Sequence, residues 1–239
     1  MIVIDHLVKR YGILTAVDDV TFTVQQGEVF ALLGPNGSGK TTALKTIVGL
    51  NLPTSGSVTV GGVDVHRYPK KARQMISYLP QRVIFPEMMT AREVIRFYGS
   101  LRNVSRADAD RALEKARFNG VSERAVSEFS GGMVQRLALT ITALPDAAVL
   151  LLDEPTANLD PHGVIRFRDF IREQKHAGKT ILFTTHLLAE AEQLADRIGI
   201  FVSGKLAALE TVDDVRSASA TAGTVEDLYL HYTGDHYDR

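Results

Sequence analysis

Eight consecutive residues in the first fifth of the chain have the types and spacing to hold a phosphate. Gly34-Pro35-Asn36-Gly37-Ser38-Gly39-Lys40-Thr41 satisfies the pattern GxxxxGK[ST]. An apolar run, Val29-Phe30-Ala31-Leu32-Leu33, leads into it, and a stretch of helical periodicity (Ala43, Leu44, Ile47, Val48) leads out. Glycines let such a loop curl until successive N–H groups point inward at phosphate oxygens, and the following helix adds the positive end of its dipole. Lys40 is placed to reach the β- and γ-phosphates of a nucleotide. Thr41 is placed to ligate Mg2+ through its hydroxyl, with Thr42 beside it on the same turn.

A second group follows about a hundred residues later. Val149-Leu150-Leu151-Leu152 runs directly into Asp153-Glu154-Pro155. In a parallel sheet ligands gather at the carboxyl ends of strands, so both carboxylates belong beside the phosphate loop. Asp153 is expected near Mg2+, mainly through its water shell, and Glu154 near the water that attacks the terminal phosphate. A general base there must reach that water and be ionised when it attacks. A plain acidic turn can end any strand, but an apolar strand that runs into Asp-Glu-Pro downstream of a phosphate loop is far more specific.

Between these two groups lies Phe129-Ser130-Gly131-Gly132-Met133-Val134-Gln135-Arg136. Ser130 has the type to cap a helix, and the two glycines would expose N–H groups at its start, which makes a second anion site. This segment resembles the LSGGQ signature of the ABC (ATP-binding cassette) ATPases. Further marks of that family fall in order. Tyr11 matches the aromatic residue that stacks on adenine. Gln81, in Tyr78-Leu79-Pro80-Gln81, matches the glutamine that senses Mg2+ and joins the core to the helical lobe. Ala157-Asn158-Leu159-Asp160 resembles the loop that crosses the dimer interface, and His186, in Thr184-Thr185-His186, the switch histidine.

The resemblance implies a homodimer that sandwiches two ATP molecules with Mg2+. Each site would combine catalytic Lys40, Gln81, Glu154 and His186 and metal-binding Thr41, Gln81 and Asp153 with Ser130, Gly131 and Gly132 of the other copy. It also implies an integral membrane permease as partner and a place on the cytoplasmic face of the cell membrane. Met133 and Phe129 depart from the signature's glutamine and leucine, but the anion site rests on Ser130 and the glycine N–H groups, so activity should survive. The tail Thr224–Leu230 resembles the closing helix of exporter-type subunits that serve a separate permease. Gln81–Glu87 resembles a subset that serves copper-enzyme maturation, notably of nitrous oxide reductase. Residues 82–98 would line the groove for the permease, with Val83, Ile84, Phe85, Met88 and Met89 exposed for docking. The alternative is a soluble ABC ATPase acting on nucleic acid or ribosomes. Only 90 residues separate Lys40 from Ser130, no heptads lie between them, one cassette is present and cysteine is absent. All four features disfavour that alternative.

The elements that must position these residues read as an α/β fold of the P-loop NTPase type, with strands and helices alternating around a parallel sheet. An N-terminal antiparallel β subdomain and an inserted helical subdomain complete it. Residues 1–86 and 145–216 are expected to form the nucleotide-binding core, 87–144 the helical signature subdomain, and 217–239 a linker and C-terminal helix. The composition suits this reading. With 239 residues, 45% hydrophobic and 23% charged, the chain can bury a substantial core. A formal net charge of -1 supplies no long-range field for nucleic acid or anionic lipid. The absence of cysteine excludes disulfides and thiolate chemistry. No run approaches 18 apolar residues, so no segment is expected to span a membrane, and the N-terminus lacks the pattern of a signal peptide.

Overall fold

A computed structural model describes residues 1–157, 159–217 and 224–234. Asn158, most of the expected linker and residues 235–239 lie outside the described residues.

The central sheet has six strands in the order β10-β9-β3-β8-β7-β6. These are β3 (Val29–Leu33), β6 (Ile76–Leu79), β7 (Val149–Asp153), β8 (Thr180–Thr185), β9 (Arg197–Val202) and β10 (Lys205–Thr211). All neighbours run parallel except β9 and β10, which form an antiparallel hairpin. Both faces of this sheet are covered, which is why its central strands read as unbroken apolar runs rather than as alternation. Val29, Ala31 and Leu33 join Leu150, Leu152, Ile181 and Phe183 in one core. Phe30 and Leu32 join Leu151 and Leu182 in the other. Each large side chain so buried contributes about 1.5–3 kcal/mol.

The second core is closed by a four-stranded antiparallel sheet, order β2-β1-β4-β5, and by helix α1 (Lys40–Ile47). Its strands are β1 (Ile2–Tyr11), β2 (Leu14–Val24), β4 (Ser55–Val60) and β5 (Val63–Asp64). Ile2, Ile4, Val20, Phe22 and Val24 point inward at the two-residue spacing of a half-buried sheet. A short helix, α2 (Pro69–Met75), leads into β6.

The first core extends into three helices, α3 (Ala91–Ser100), α4 (Arg106–Lys115) and α5 (Gly131–Ala143). Each begins where a side chain caps it. Thr90 and Glu93 form a reciprocal capping box on α3, Ser105 accepts from Asp108 N–H, and Ser130 accepts from Met133 N–H. Helices α6 (Pro161–His176), α7 (Leu188–Leu194), α8 (Val212–Ser217) and α9 (Val225–Thr233) complete the chain. Ser217, expected in the linker, closes α8 instead.

The observed architecture is the expected one: a parallel core sheet, an antiparallel β subdomain and a helical insertion. Among the elements that went unread are β10, α2 and α8. The β9–β10 hairpin is announced only by Ser203-Gly204, both with positive φ, 49° and 82°, as its two-residue turn demands. In α2 only Ala72 is buried, so no apolar periodicity marks it.

One expectation is overturned. Phe85 is not exposed for docking; it is 7% exposed and packs edge-on against Tyr98, 5.8 Å between centroids, in the first core. Val83 and Met89 are partly buried against the same core, whereas Ile84 and Met88 stand out at 72% and 86% exposure. An aromatic ring has too much apolar area to leave in water when a core lies within reach. Phe85→Ala should therefore lower stability by about 3–5 kcal/mol, while Ile84→Ala stays within about 0.5 kcal/mol of wild type in denaturant unfolding.

Candidate active site

The phosphate loop bridges β3 and α1, as its spacing requires. Its curl depends on glycine where other backbone presses close. Gly39 has φ 107°, and a Cβ there would lie 2.2 Å from the Ala16 carbonyl oxygen. A Cβ on Gly34 would lie 2.3 Å from the Phe201 carbonyl oxygen. The Gly204 N–H donates to the Ser38 carbonyl at 2.8 Å, so the β9–β10 turn clamps the loop from outside.

Lys40 is 4% exposed, and its ammonium folds back to donate to the carbonyls of Gly34 (2.7 Å) and Pro35 (3.0 Å). Burial pushes its pKa down, opposed by the Glu154 and Asp153 carboxylates. Asp153 is fully buried at the end of β7. Its Oδ1 accepts from Thr41 Oγ1 at 3.1 Å and from Thr184 Oγ1 at 2.7 Å. Its Oδ2 makes no hydrogen bond of ordinary geometry, and the buried Tyr78 hydroxyl lies beside the carboxylate. Burial raises the pKa of Asp153, against which the two threonine hydroxyls act; burial and then the charge of Asp153 raise that of Tyr78.

Thr41 and Asp153 fit a divalent cation. A buried carboxylate oxygen without an ordinary hydrogen bond, beside a hydroxyl, is an arrangement that a hard cation relieves. Among the described residues no cluster of three or more His, Asp or Glu forms a cage. That suits Mg2+, which keeps several waters and takes its other ligands from phosphates.

Glu154 is 7% exposed and sits at φ 45°, a conformation that costs a non-glycine residue about 1 kcal/mol. Its Oε2 accepts from Gln81 Nε2 at 3.2 Å and lies 3.4 Å from His186 Nδ1. Gln81 thus engages Glu154 through its amide nitrogen rather than the Thr41–Asp153 pair. A cleft of about 610 Å³ opens over these groups. Asn36, Gly37, Ser38, Gly39, Lys40, Thr41, Thr42, Gln81 and Glu154 line it, with Tyr11 at its edge. The Tyr11 hydroxyl accepts from Asn51 Nδ2 at 3.0 Å. Ser130, Gly131 and Gly132 do not line this cleft; they form the start of α5, where Ser130 and Gly131 are exposed.

The sequence pattern of the ABC transporter family matches residues 17–157. The chain belongs to the ABC transporter family. It is 35% identical over 221 residues to a linearmycin resistance ATP-binding protein of Bacillus subtilis, covering 91% of this chain and 71% of that one. It is 36% identical over 237 residues to a daunorubicin resistance ATP-binding protein of Streptomyces coeruleorubidus, covering 98% and 74%. The structure of an ATP-binding subunit of an ABC transporter superposes with a TM-score of 0.88 at 31% identity, over 98% of this chain and 99% of that one. A dimeric cassette in a post-hydrolysis state with ADP and Pi shares the fold, with a TM-score of 0.81 at 23% identity, over 89% and 99%. The chain is accordingly an ABC-type ATPase that binds ATP.

Several contributors to the cleft of this ATPase were not legible as such. Ala16 lines it from β2, and Ser203 and Gly204 from the β9–β10 turn. Thr184 is central: its hydroxyl donates to Asp153 Oδ1 and accepts from the Glu154 N–H at 2.9 Å. The signal for it is register, because β7 and β8 pair in parallel with Asp153 opposite Thr184. Thr184→Val should cost about 1–3 kcal/mol, since it strands a buried N–H and removes a donor from a buried carboxylate. Folded Asp153 holds its proton more tightly than the unfolded chain does, so ionising it costs stability as pH rises through the folded pKa. Losing the Thr184 donor raises that pKa further. The melting deficit of Thr184→Val is therefore largest above the folded pKa and narrows as pH falls towards the ordinary carboxylate range.

Proposed function

We propose that two copies of this ATPase sandwich two MgATP molecules and drive an integral membrane permease that exports a small molecule. The observation that carries the reading is the separation of the two anion sites. The phosphate loop lines its own cleft, while Ser130, Gly131 and Gly132 at the start of α5 do not line it. A second copy, turned to bring its Ser130–Gly132 over the cleft, would give the γ-phosphate a donor set that one chain does not supply. Within this proposal residues 1–86 and 145–216 act as the core, and residues 87–144, which contain α3 to α5, as a lobe that turns against it.

The roles follow from placement. Released from the Gly34 and Pro35 carbonyls, the Lys40 ammonium reaches the β- and γ-phosphates. Thr41 Oγ1 and Asp153 would hold Mg2+, which would supply charge neutralisation for the transferred phosphoryl group. The Glu154 carboxylate orients the attacking water and takes its proton, with Gln81 and His186 holding the carboxylate on either side. Tyr11 stacks on the base at the cleft edge. Among the described residues no helix is long and apolar enough to cross a membrane, so membrane contact would come through the permease, at its cytoplasmic face. The two relatives named for antibiotic resistance support small-molecule export. So does a Nod factor export ATP-binding protein of Rhizobium meliloti, 39% identical over 201 residues. Copper-enzyme maturation rests on residues 81–87 alone and ranks second. Action on nucleic acid or ribosomes is not favoured.

Glu154→Gln should bind ATP, turn it over at least about a hundredfold more slowly and elute as a dimer in gel filtration with ATP. A monomer with normal nucleotide binding would count against the sandwich. In the same assay series Lys40→Ala should lose at least about tenfold in ATP affinity, the scale of one charge-assisted hydrogen bond. Ile84→Asp with Met88→Asp should leave basal ATPase intact yet reduce recovery of a polytopic protein with the tagged chain from solubilised membranes. Unchanged recovery would remove that face from the docking surface.

A further inference from the structure

The Gln135 side chain is tied to the loop that carries Glu154. It is buried in the second turn of α5, and its Nε2 donates to the Pro155 carbonyl at 2.7 Å. The residue ahead of that carbonyl is Glu154, whose backbone is otherwise pinned by two contacts. Its N–H donates to Thr184 Oγ1 at 2.9 Å, and its carbonyl accepts from the Ala157 N–H at 3.1 Å. Thr184 belongs to the core sheet and Ala157 to the turn itself. Gln135 belongs to α5, whose exposed end carries Ser130 and Gly131. The catalytic carboxylate therefore stands on a turn held from two bodies, one of them the helix that presents the signature.

We infer that Gln135 is a positioning residue for Glu154, through which nucleotide bound against Ser130–Gly132 of one site sets the carboxylate of the other. The inference rests on the sandwich proposed above, in which α5 of each chain meets the nucleotide held by its partner. Ser130 and Gln135 are five residues apart on one rigid helix, about 7.5 Å along its axis. A shift of α5 on engaging phosphate is passed to the Pro155 carbonyl with no flexible element between. Glu154 responds because its positive φ is imposed by its neighbours rather than preferred by its own backbone. Proline at 155 offers no N–H of its own, so the turn depends on outside donors to hold its shape. The consequence is reciprocity: each site fires when the opposite nucleotide has drawn its helix into place.

The test uses the full-length chain with MgATP. Gln135→Leu keeps most of the volume and removes the donor. We expect kcat to fall about tenfold with KM for ATP within about twofold. We also expect the Hill coefficient to drop from near 2 to near 1, while ATP-driven dimerisation in the Glu154→Gln background persists. Gln135→Glu guards against loss of packing in the leucine variant. A buried carboxyl donates to Pro155 only when protonated, so its kcat relative to wild type should recover as pH falls. Wild-type kcat and Hill coefficient in both variants would overturn the proposal. A raised KM at unchanged kcat would also overturn it, since that is a binding defect. A fall in kcat with the Hill coefficient unchanged would reduce Gln135 to a local support and overturn the coupling. Failure of the Glu154→Gln protein to dimerise with ATP would instead sink the sandwich itself, whatever Gln135 does.

Discussion

Asp153 is a carboxylate with no exposure to solvent, and the placement of everything around it answers that fact. A charge taken out of water is tolerable only where donors or a cation meet it. Here Thr41 comes from the first turn of α1 and Thr184 from the end of β8, and both point at the same oxygen. The second oxygen makes no hydrogen bond of ordinary geometry. A phosphate loop, the Thr41 hydroxyl and a carboxylate thus meet because three strands end together, and the remaining demand of Asp153 is one that a divalent cation would satisfy. The same hydroxyl of Thr184 receives the Glu154 N–H, so the Asp153 carboxylate and the Glu154 backbone share a single support.

The phosphate loop shows how close packing, as much as charge, builds the cradle. Gly34 and Gly39 lie against the backbones of Phe201 and Ala16, too near for any Cβ. The loop is shaped from outside by β2 and by the β9–β10 turn. Lys40 meanwhile occupies its own loop's carbonyls. This is a low-dielectric site where the ammonium's pKa is already depressed by burial. Phosphate oxygens would give it partners of opposite charge in place of uncharged carbonyls.

The lobe and the core are joined at the chemistry. Gln81 stands between β6 and the helical segment and touches Glu154; α5 reaches the turn after Glu154 through Gln135. Both links are single, directional hydrogen bonds. The Lys115–Glu173 ion pair and the Arg102 hydrogen bonds to the Ile76 carbonyl also join the helical segment to the core, over shared apolar packing.

Much of this was legible in the residues alone. GxxxxGK[ST] between an apolar run and a helix, and Asp-Glu after another apolar run, are local patterns whose chemistry demands them; the fold brings Lys40, Thr41, Gln81 and Glu154 to one cleft, with Asp153 bonded to Thr41 and His186 beside Glu154. The helix start at Ser130 was equally local, because a cap is a contact between residues three apart. Phe85 was misjudged, since an apolar residue in a loop says nothing about which core lies above it. Thr184 was missed because its role depends on register across two strands 31 residues apart, and Ala16, Ser203 and Gly204 because nothing in their types marks a site. The sequence by itself determined the phosphate chemistry and the alternation of strand and helix, since both arise from short-range backbone geometry and apolar spacing. Only the tertiary structure decided which hydroxyl holds Asp153, which backbones shape the loop and which apolar residues stay exposed, because those depend on strand order, register and packing between distant segments.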